Sequence, residues 1–98
     1  MIFVATLTHT PELCFGNPSY KQQGKKWVEN MRESAKKLGV TIHGAYASPN
    51  EHTFHFVLES NSHGAISDFL SPPILTHHSA RISPVVTVEE AFGLSFMK

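Results

Sequence analysis

The sequence predicts an α+β domain with the element order β-α-β-β-α-β. Four short runs are rich in β-branched and aromatic residues, and two segments repeat apolar side chains at spacings of three and four. A chain of 98 residues can bury one hydrophobic core but not two. We therefore expect residues 1–98 to form a single domain.

The first strand and the first helix have the clearest patterns. Residues 2–8 contain no strand breaker, and residues 9–20 contain the prolines and glycine of a loop. The spacing then predicts a helix over residues 21–38 that ends before Gly39, although Gly24 weakens its first turn. The apolar stripe of this helix contains Trp27, Val28, Met31, Ala35 and Leu38.

The second half predicts a hairpin, a short helix and a last strand. Strands over 40–47 and 53–59 are joined by five residues, which favours antiparallel pairing with Ala47 opposite Thr53. Asn61 or Ser62 can cap a helix that ends at Ser71-Pro72-Pro73. The last strand spans 79–88 and is followed by a helical turn over 89–94. Pro84 cannot donate a ladder hydrogen bond, so this strand should lie at a sheet edge.

Right-handed crossovers turn this order into a ferredoxin-like fold, with an antiparallel sheet of strand order 4-1-3-2 and both helices on one face. Side chains alternate along a strand, so His55, Val57 and Glu59 should point to the face without helices. That face mixes apolar and polar residues and needs a cover. We expect a second copy of the chain to provide it, as a homodimer.

Three segments carry a family resemblance: Phe56-Val-Leu-Glu-Ser before the capped helix, Ile82-Ser-Pro-Val-Val, and Val88-Glu-Glu-Ala. With them the chain resembles the dimeric α/β-barrel superfamily, in particular its small GYD- or EthD-like and stress-responsive members. The resemblance implies a dimeric barrel with a pocket between sheet and helices in each protomer. Members of that superfamily include monooxygenases, haem-degrading enzymes, isomerases and proteins without known activity, so it implies no single reaction.

Charge and cysteine content exclude several classes of partner. The formal net charge is zero, which argues against binding to nucleic acid or to a membrane. Six basic residues lie on the first helix, but Glu29 and Glu33 interleave with them as ordinary helical ion pairs. Cys14 is the only cysteine, so the chain cannot form an internal disulfide, and we expect a cytoplasmic protein.

Histidines are the most unusual feature of the sequence, with seven in 98 residues. In the expected sheet, one rim gathers the end of the first strand, the hairpin and the starts of the third and fourth strands. His9, His55 and His78 should converge there as metal ligands, with His43 and Glu59 deeper on the same face. Imidazoles with a carboxylate suit zinc, iron, copper or nickel.

Plainer interpretations remain open at these positions. His52, His63 and His77 can be solvated, and His43 and His55 can be hydrogen-bonded in the pocket. Cys14 lies in a loop and is more often incidental than a nucleophile. Phe15 and Tyr20 can cover the pocket mouth, with His43, His55 and Glu59 contacting a small molecule inside.

Three functions fit this sequence. The first is a homodimer that binds a small ligand or a transition-metal ion at the histidine-rich rim. The second is a small cofactor-independent monooxygenase or isomerase, in which His9 or His55 polarises a substrate and Glu59 orients it. The third is a structural or regulatory dimer.

Overall fold

The computed structural model describes residues 1–71 and 74–96, and Pro72 and Pro73, which end the predicted second helix, lie outside them. The strands are β1 (Ile2–Thr8), β2 (Thr41–Ser48), β3 (Thr53–Glu59) and β4 (Ser79–Val85). The α-helices are α1 (Lys21–Leu38), α2 (His63–Phe69), α3 (Ile74–His77) and α4 (Val88–Phe96). Single 3-10 turns occupy Pro11–Leu13 and Pro49–Glu51.

Within the described residues the strands form one open antiparallel sheet of order β2-β3-β1-β4. This is the predicted strand order. β4, which contains Pro84, pairs only with β1 among the described strands and therefore lies at an edge, as expected.

The core lies between the sheet and the helices. Alternate residues of β1 are buried, and α2 and the turn after it add side chains that are at most 2% exposed. Trp27 of α1 packs edge-on against Phe56 of β3, with ring centroids 5.8 Å apart, and also contacts Phe69 of α2. The largest fully buried side chains of this core are Leu7, Leu58, Ile66, Phe69, Leu70 and Ile74.

The helix ends follow local capping chemistry. α1 has the predicted bounds and ends at Gly39, whose left-handed φ of 71° is one that glycine adopts without strain. Ser62 caps α2 by accepting a hydrogen bond from the amide of Ala65 at 3.2 Å. Val28 is 56% exposed, at the margin of the stripe predicted for α1.

One predicted strand boundary and one predicted strand register were wrong. The last strand ends at Val85 and not at residue 88, because Thr87 and Glu90 form a reciprocal capping box that starts α4. In the hairpin, Thr53 pairs with Ser48 and not with Ala47. A β-bulge between Ile42 and Gly44 shifts the register by one residue, so that Ile42 lies opposite Leu58 and Gly44 lies opposite Val57.

No helix in the described part of the chain is both long enough and apolar enough to cross a bilayer.

Candidate metal centre

One rim of the sheet brings three histidines together. Thr8 at the end of β1 pairs with Thr53 at the start of β3 and with Ser79 at the start of β4. His9, His52 and His78 are the next residues outward on these three strands. The amide of His9 donates to the carbonyl of His52 at 3.1 Å. The predicted meeting of these strand ends at one rim is thus confirmed.

His9 lies at the centre of this group and is 8% exposed. Its ring centroid is 4.8 Å from that of His78 and 5.2 Å from that of His52, both in edge-on arrangements. Phe54 closes another side at 5.9 Å. His9 therefore has aromatic neighbours on several sides and little contact with solvent.

Hydrogen bonds fix which nitrogen of His9 carries the proton. Nδ1 of His78 lies 2.6 Å from the carbonyl oxygen of Ile74, and a carbonyl can only accept, so this nitrogen bears hydrogen. In neutral His78, Nε2 is then an acceptor, and it receives the Nδ1–H of His9 at 3.0 Å. The remaining nitrogen of neutral His9, Nε2, must carry a lone pair.

That lone pair is buried. Among the residues that the structure describes, His9 Nε2 and His52 Nδ1 are enclosed and have no hydrogen-bond partner. A buried polar atom without a partner costs about 1–3 kcal/mol, so native proteins rarely keep one without a use. Two such nitrogens lie in adjacent rings, which makes this rim the candidate binding site.

The pKa values of the cluster favour its neutral form. Burial lowers the pKa of His9, and the neighbouring His78 and His52 lower it further. Burial also lowers the pKa of His78, against an opposing effect of its bond to Ile74. At neutral pH the His9 lone pair is therefore available to a ligand.

His52 has an uncommon backbone conformation. It follows the 3-10 turn at Pro49–Glu51 with φ 51° and ψ 47°, the left-handed region that costs a residue with a Cβ about 1 kcal/mol or more. The amide of His52 donates to the carbonyl oxygen of Pro49 at 3.2 Å and closes this turn. The conformation places the His52 ring against His9.

Cys14 approaches the two imidazoles from the loop between β1 and α1. One ligand atom each from His9, Cys14 and His52 lies within 4.8 Å of the other two. The amide of Gly16 donates to the Cys14 sulfur at 3.3 Å. Phe15 anchors this loop by stacking on Phe54, with centroids 6.4 Å apart.

The three residues border a cavity of about 250 Å³ that is otherwise mainly apolar. Its further walls are Phe15, Gly16, Ala47, Ser48, Pro49, Thr53 and Phe54. One cysteine sulfur and two imidazoles at the edge of a cavity are a donor set for a transition-metal ion with room for another ligand.

The predicted ligands His9, His55 and His78 do not converge. His9 and His78 are hydrogen-bonded, but His78 uses both nitrogens in the chain from Ile74 to His9. His55 lies on the face of β3 opposite Phe54, because neighbouring strand residues point to opposite faces. A role for His55 in binding on that open face stays a prediction.

His43 and Glu59 form a separate pair on the open face. Nε2 of His43 donates to a carboxylate oxygen of Glu59 at 2.7 Å, and the side chains are 44% and 47% exposed. This bond lowers the pKa of Glu59. The bulge after Ile42 lets His43 share a face with Glu59, as predicted, and a ligand role for the pair remains untested.

The two predicted cover residues have different surroundings. Phe15 lies at the cavity, where it also contacts His78. Tyr20 instead packs edge-on against His77, with centroids 4.8 Å apart.

Sequence reasoning did not name Cys14 or His52 as metal ligands. A signal was present for both, because the loop and the hairpin leave from the same rim as His9. The positions of the His52 and Cys14 side chains depend on a left-handed residue and on an irregular loop. Neither produces a hydrophobic periodicity in the sequence from which these positions could be predicted.

Comparison with known proteins gives a family but no activity. A search of curated proteins finds no match. A family model described as a domain of unknown function, DUF3303, matches residues 1–95. Since this match covers nearly the whole length, the chain belongs to the DUF3303 family.

Proposed function

We propose that this protein binds a thiophilic transition-metal ion, zinc or copper, through His9, Cys14 and His52. The buried Nε2 lone pair of His9 is the observation that carries the proposal. Thiolates select copper(I) and zinc, and imidazoles suit both, so this donor set narrows the four metals considered from sequence to two.

The surroundings of His9 are those of a metal ligand. Histidines that bind metals almost always donate their other ring N–H to a fixed acceptor, which orients the ring and increases its basicity. His9 donates to His78, and His78 is held in turn by the carbonyl of Ile74. These two hydrogen bonds orient the Nε2 atom of His9 before any ion binds.

The spacing of the three ligand atoms is close to what an ion needs. Ligand atoms around tetrahedral zinc lie about 3.3–3.6 Å apart, as follows from Zn–N and Zn–S bond lengths. The three ligand atoms lie within 4.8 Å of one another, so binding requires a contraction of at most about 1.5 Å. A shift of the loop that carries Cys14 would supply it, since the described hydrogen bonds of residues 13–17 are local.

Three protein ligands leave one position of a tetrahedral ion open. Such a position is the mark of metal sites that bind exogenous molecules, whereas closed sites with four protein ligands are structural. The cavity beside the cluster gives an exogenous ligand access. The proposed function is therefore the binding of a small ligand at a metal ion.

Substitution of cobalt(II) for the native ion tests the proposal directly. The wild-type protein should bind one Co²⁺ per chain and show a sulfur-to-cobalt charge-transfer band in the near ultraviolet. Cys14→Ser should lose the band, and His9→Ala should lose most of the affinity. The exposed His43→Ala variant is the matched control and should behave as wild type.

A competition assay with zinc and copper(I) chelators then distinguishes the two metals. Unchanged cobalt spectra in Cys14→Ser, or equal affinities in all four proteins, would contradict the site.

We also propose that a second copy covers the open face of the sheet. Tyr46 on that face is 65% exposed, and Val4 and Val57 lie half-buried beside it. Arg81 on β4 and Glu59 on β3 place opposite charges on the same face, which suits a two-fold partner. Light scattering after gel filtration should give about twice the chain mass of 10.9 kDa, and a mass equal to one chain would refute the dimer.

A further inference from the structure

We infer that the ligand of the metal site is a small aromatic or aliphatic molecule with one nitrogen or sulfur donor, whose apolar part fills a second cavity beside the cluster. This inference rests on the proposed metal site and adds the class of molecule that would complete it.

The second cavity, of about 210 Å³, lies between α1 and the strands β2 and β3. Among the described residues, no charged side chain lines it. A charged or strongly polar ligand would lose its hydration there without compensation. The walls are Phe15, Trp27, Val28, Met31, Ala45, Tyr46, Ala47, Phe54, Phe56 and Ile74.

The two cavities share three walls: Phe15, Ala47 and Phe54. An apolar group in the second cavity is therefore next to the cavity that the metal ligands border. The stacked rings of Phe15 and Phe54, with an interplanar angle of 24°, border both cavities. A molecule that spans both spaces has its apolar part among aromatic rings and its donor atom at the metal.

The size of the cavity limits the ligand. An engineered apolar cavity of about 150 Å³ accommodates benzene. The 210 Å³ here holds one ring with a short substituent, and the 250 Å³ beside it takes the donor end. The apolar part of the ligand is therefore a single ring or a short aliphatic chain.

Gly24 fixes the position of the Phe15 ring. A Cβ built on Gly24 would lie 2.6 Å from Cγ of Phe15, a distance that real atoms do not tolerate. The absence of a side chain on this buried helical residue lets Phe15 lie between α1 and β3. Gly24 weakens the first turn of α1, and its presence there is explained by the packing of Phe15, which borders both cavities.

The test compares two probes with the same donor. Cobalt-loaded protein is titrated with imidazole and with 4-phenylimidazole, and the d–d bands report binding at the metal. The phenyl compound should bind at least about tenfold more tightly, since its ring leaves water for an apolar cavity.

Ala45→Leu fills the second cavity and should abolish this preference, while Co²⁺ affinity and the binding of imidazole itself remain unchanged. Ala80→Leu is the matched control, an alanine exposed on the edge strand β4, and should keep the preference. Circular dichroism of both variants verifies the fold. If Ala45→Leu does not fold, Ala45→Val carries the same expectation with a smaller loss of preference.

The outcomes separate the two proposals. Normal Co²⁺ binding with equal affinity for both probes, or a preference that survives the filling of the cavity, would overturn the inference alone. Absence of Co²⁺ binding would overturn the proposed function and with it the metal-anchored ligand. In that case, quenching of Trp27, the sole tryptophan, by 4-phenylimidazole would show whether the apolar cavity still binds the ring.

Discussion

Two groups of histidines in this molecule have opposite environments. His9, His52 and His78 meet at the rim against Phe54, where their interactions are with each other and with backbone carbonyls. His43 lies on the open face in contact with the carboxylate of Glu59 and with solvent. The first group has neutral partners and the second has a charged one.

The difference in burial and in neighbouring charge gives the rim histidines and His43 different chemical properties. Burial without a counter-charge disfavours protonation and leaves a lone pair. The pair of His43 and Glu59 is exposed, so solvent screens it and it contributes little to stability. Only the rim group combines a neutral ring with a fixed direction, and the predictions below test this contrast in order of expected effect.

The largest effect should come from His9→Ala. With zinc at one hundred times its dissociation constant, the wild-type protein should gain about 10 °C in melting temperature, because the ion binds the folded state. His9→Ala should lose this gain and His43→Ala should keep it. Differential scanning fluorimetry with and without zinc measures both, and an equal gain in the two variants would erase the contrast between the groups.

A smaller effect is expected from His78→Phe, which keeps a ring but removes the acceptor for His9. Loss of such a supporting partner lowers metal affinity by about 10–100-fold without removing a ligand. The exposed His63→Phe variant is the control. Competition with a chromophoric zinc chelator gives the affinities, and wild-type affinity in His78→Phe would show that the hydrogen-bond chain does not support the site.

Acidification should affect the metal-free rim more than the open face. The pKa values of His9 and His78 are lowered in the fold, so the unfolded chain binds more protons as pH falls below 6.5. The melting temperature should therefore fall between pH 7 and pH 5. His9→Phe should show a shallower fall than wild type, and identical slopes would mean that His9 titrates normally.

The smallest effect is expected for Glu59→Gln. The pKa of Glu59 is lowered, so its contribution is present above the ordinary carboxyl value and is lost only as the pH falls through the lowered one. Because the pair is exposed, the melting temperature at pH 7 should change little. A large loss at pH 7 would show that the open face is covered and that Glu59 is buried there.

Periodic patterns in the sequence predicted the elements and the topology well. The bounds of α1 follow from its apolar spacing and Gly39, and the edge position of β4 follows from Pro84. Those features depend on local spacing and on missing hydrogen-bond donors, which a sequence displays directly.

Positions that depend on irregular backbone were harder to predict. His55 was grouped with His9 by its nearness to the rim, although alternation with Phe54 already placed it on the other face. Cys14 and His52 reach the cluster through a loop and a left-handed residue, and the bulge after Ile42 changed the hairpin register. Tertiary packing, and not local preference, determines these conformations.

The contact between Phe15 and Gly24 links the metal site to a helix that contributes no ligand to it. Cys14 is covalently next to Phe15, so a side chain at position 24 that moved the ring would also move the sulfur. Homologous chains should therefore show paired change at these positions, with a larger residue at 24 accompanied by a smaller one at 15. Gly24, Phe15 and Cys14 are therefore expected to evolve together, and Cys14 should be retained in homologous chains that keep Gly24 and Phe15.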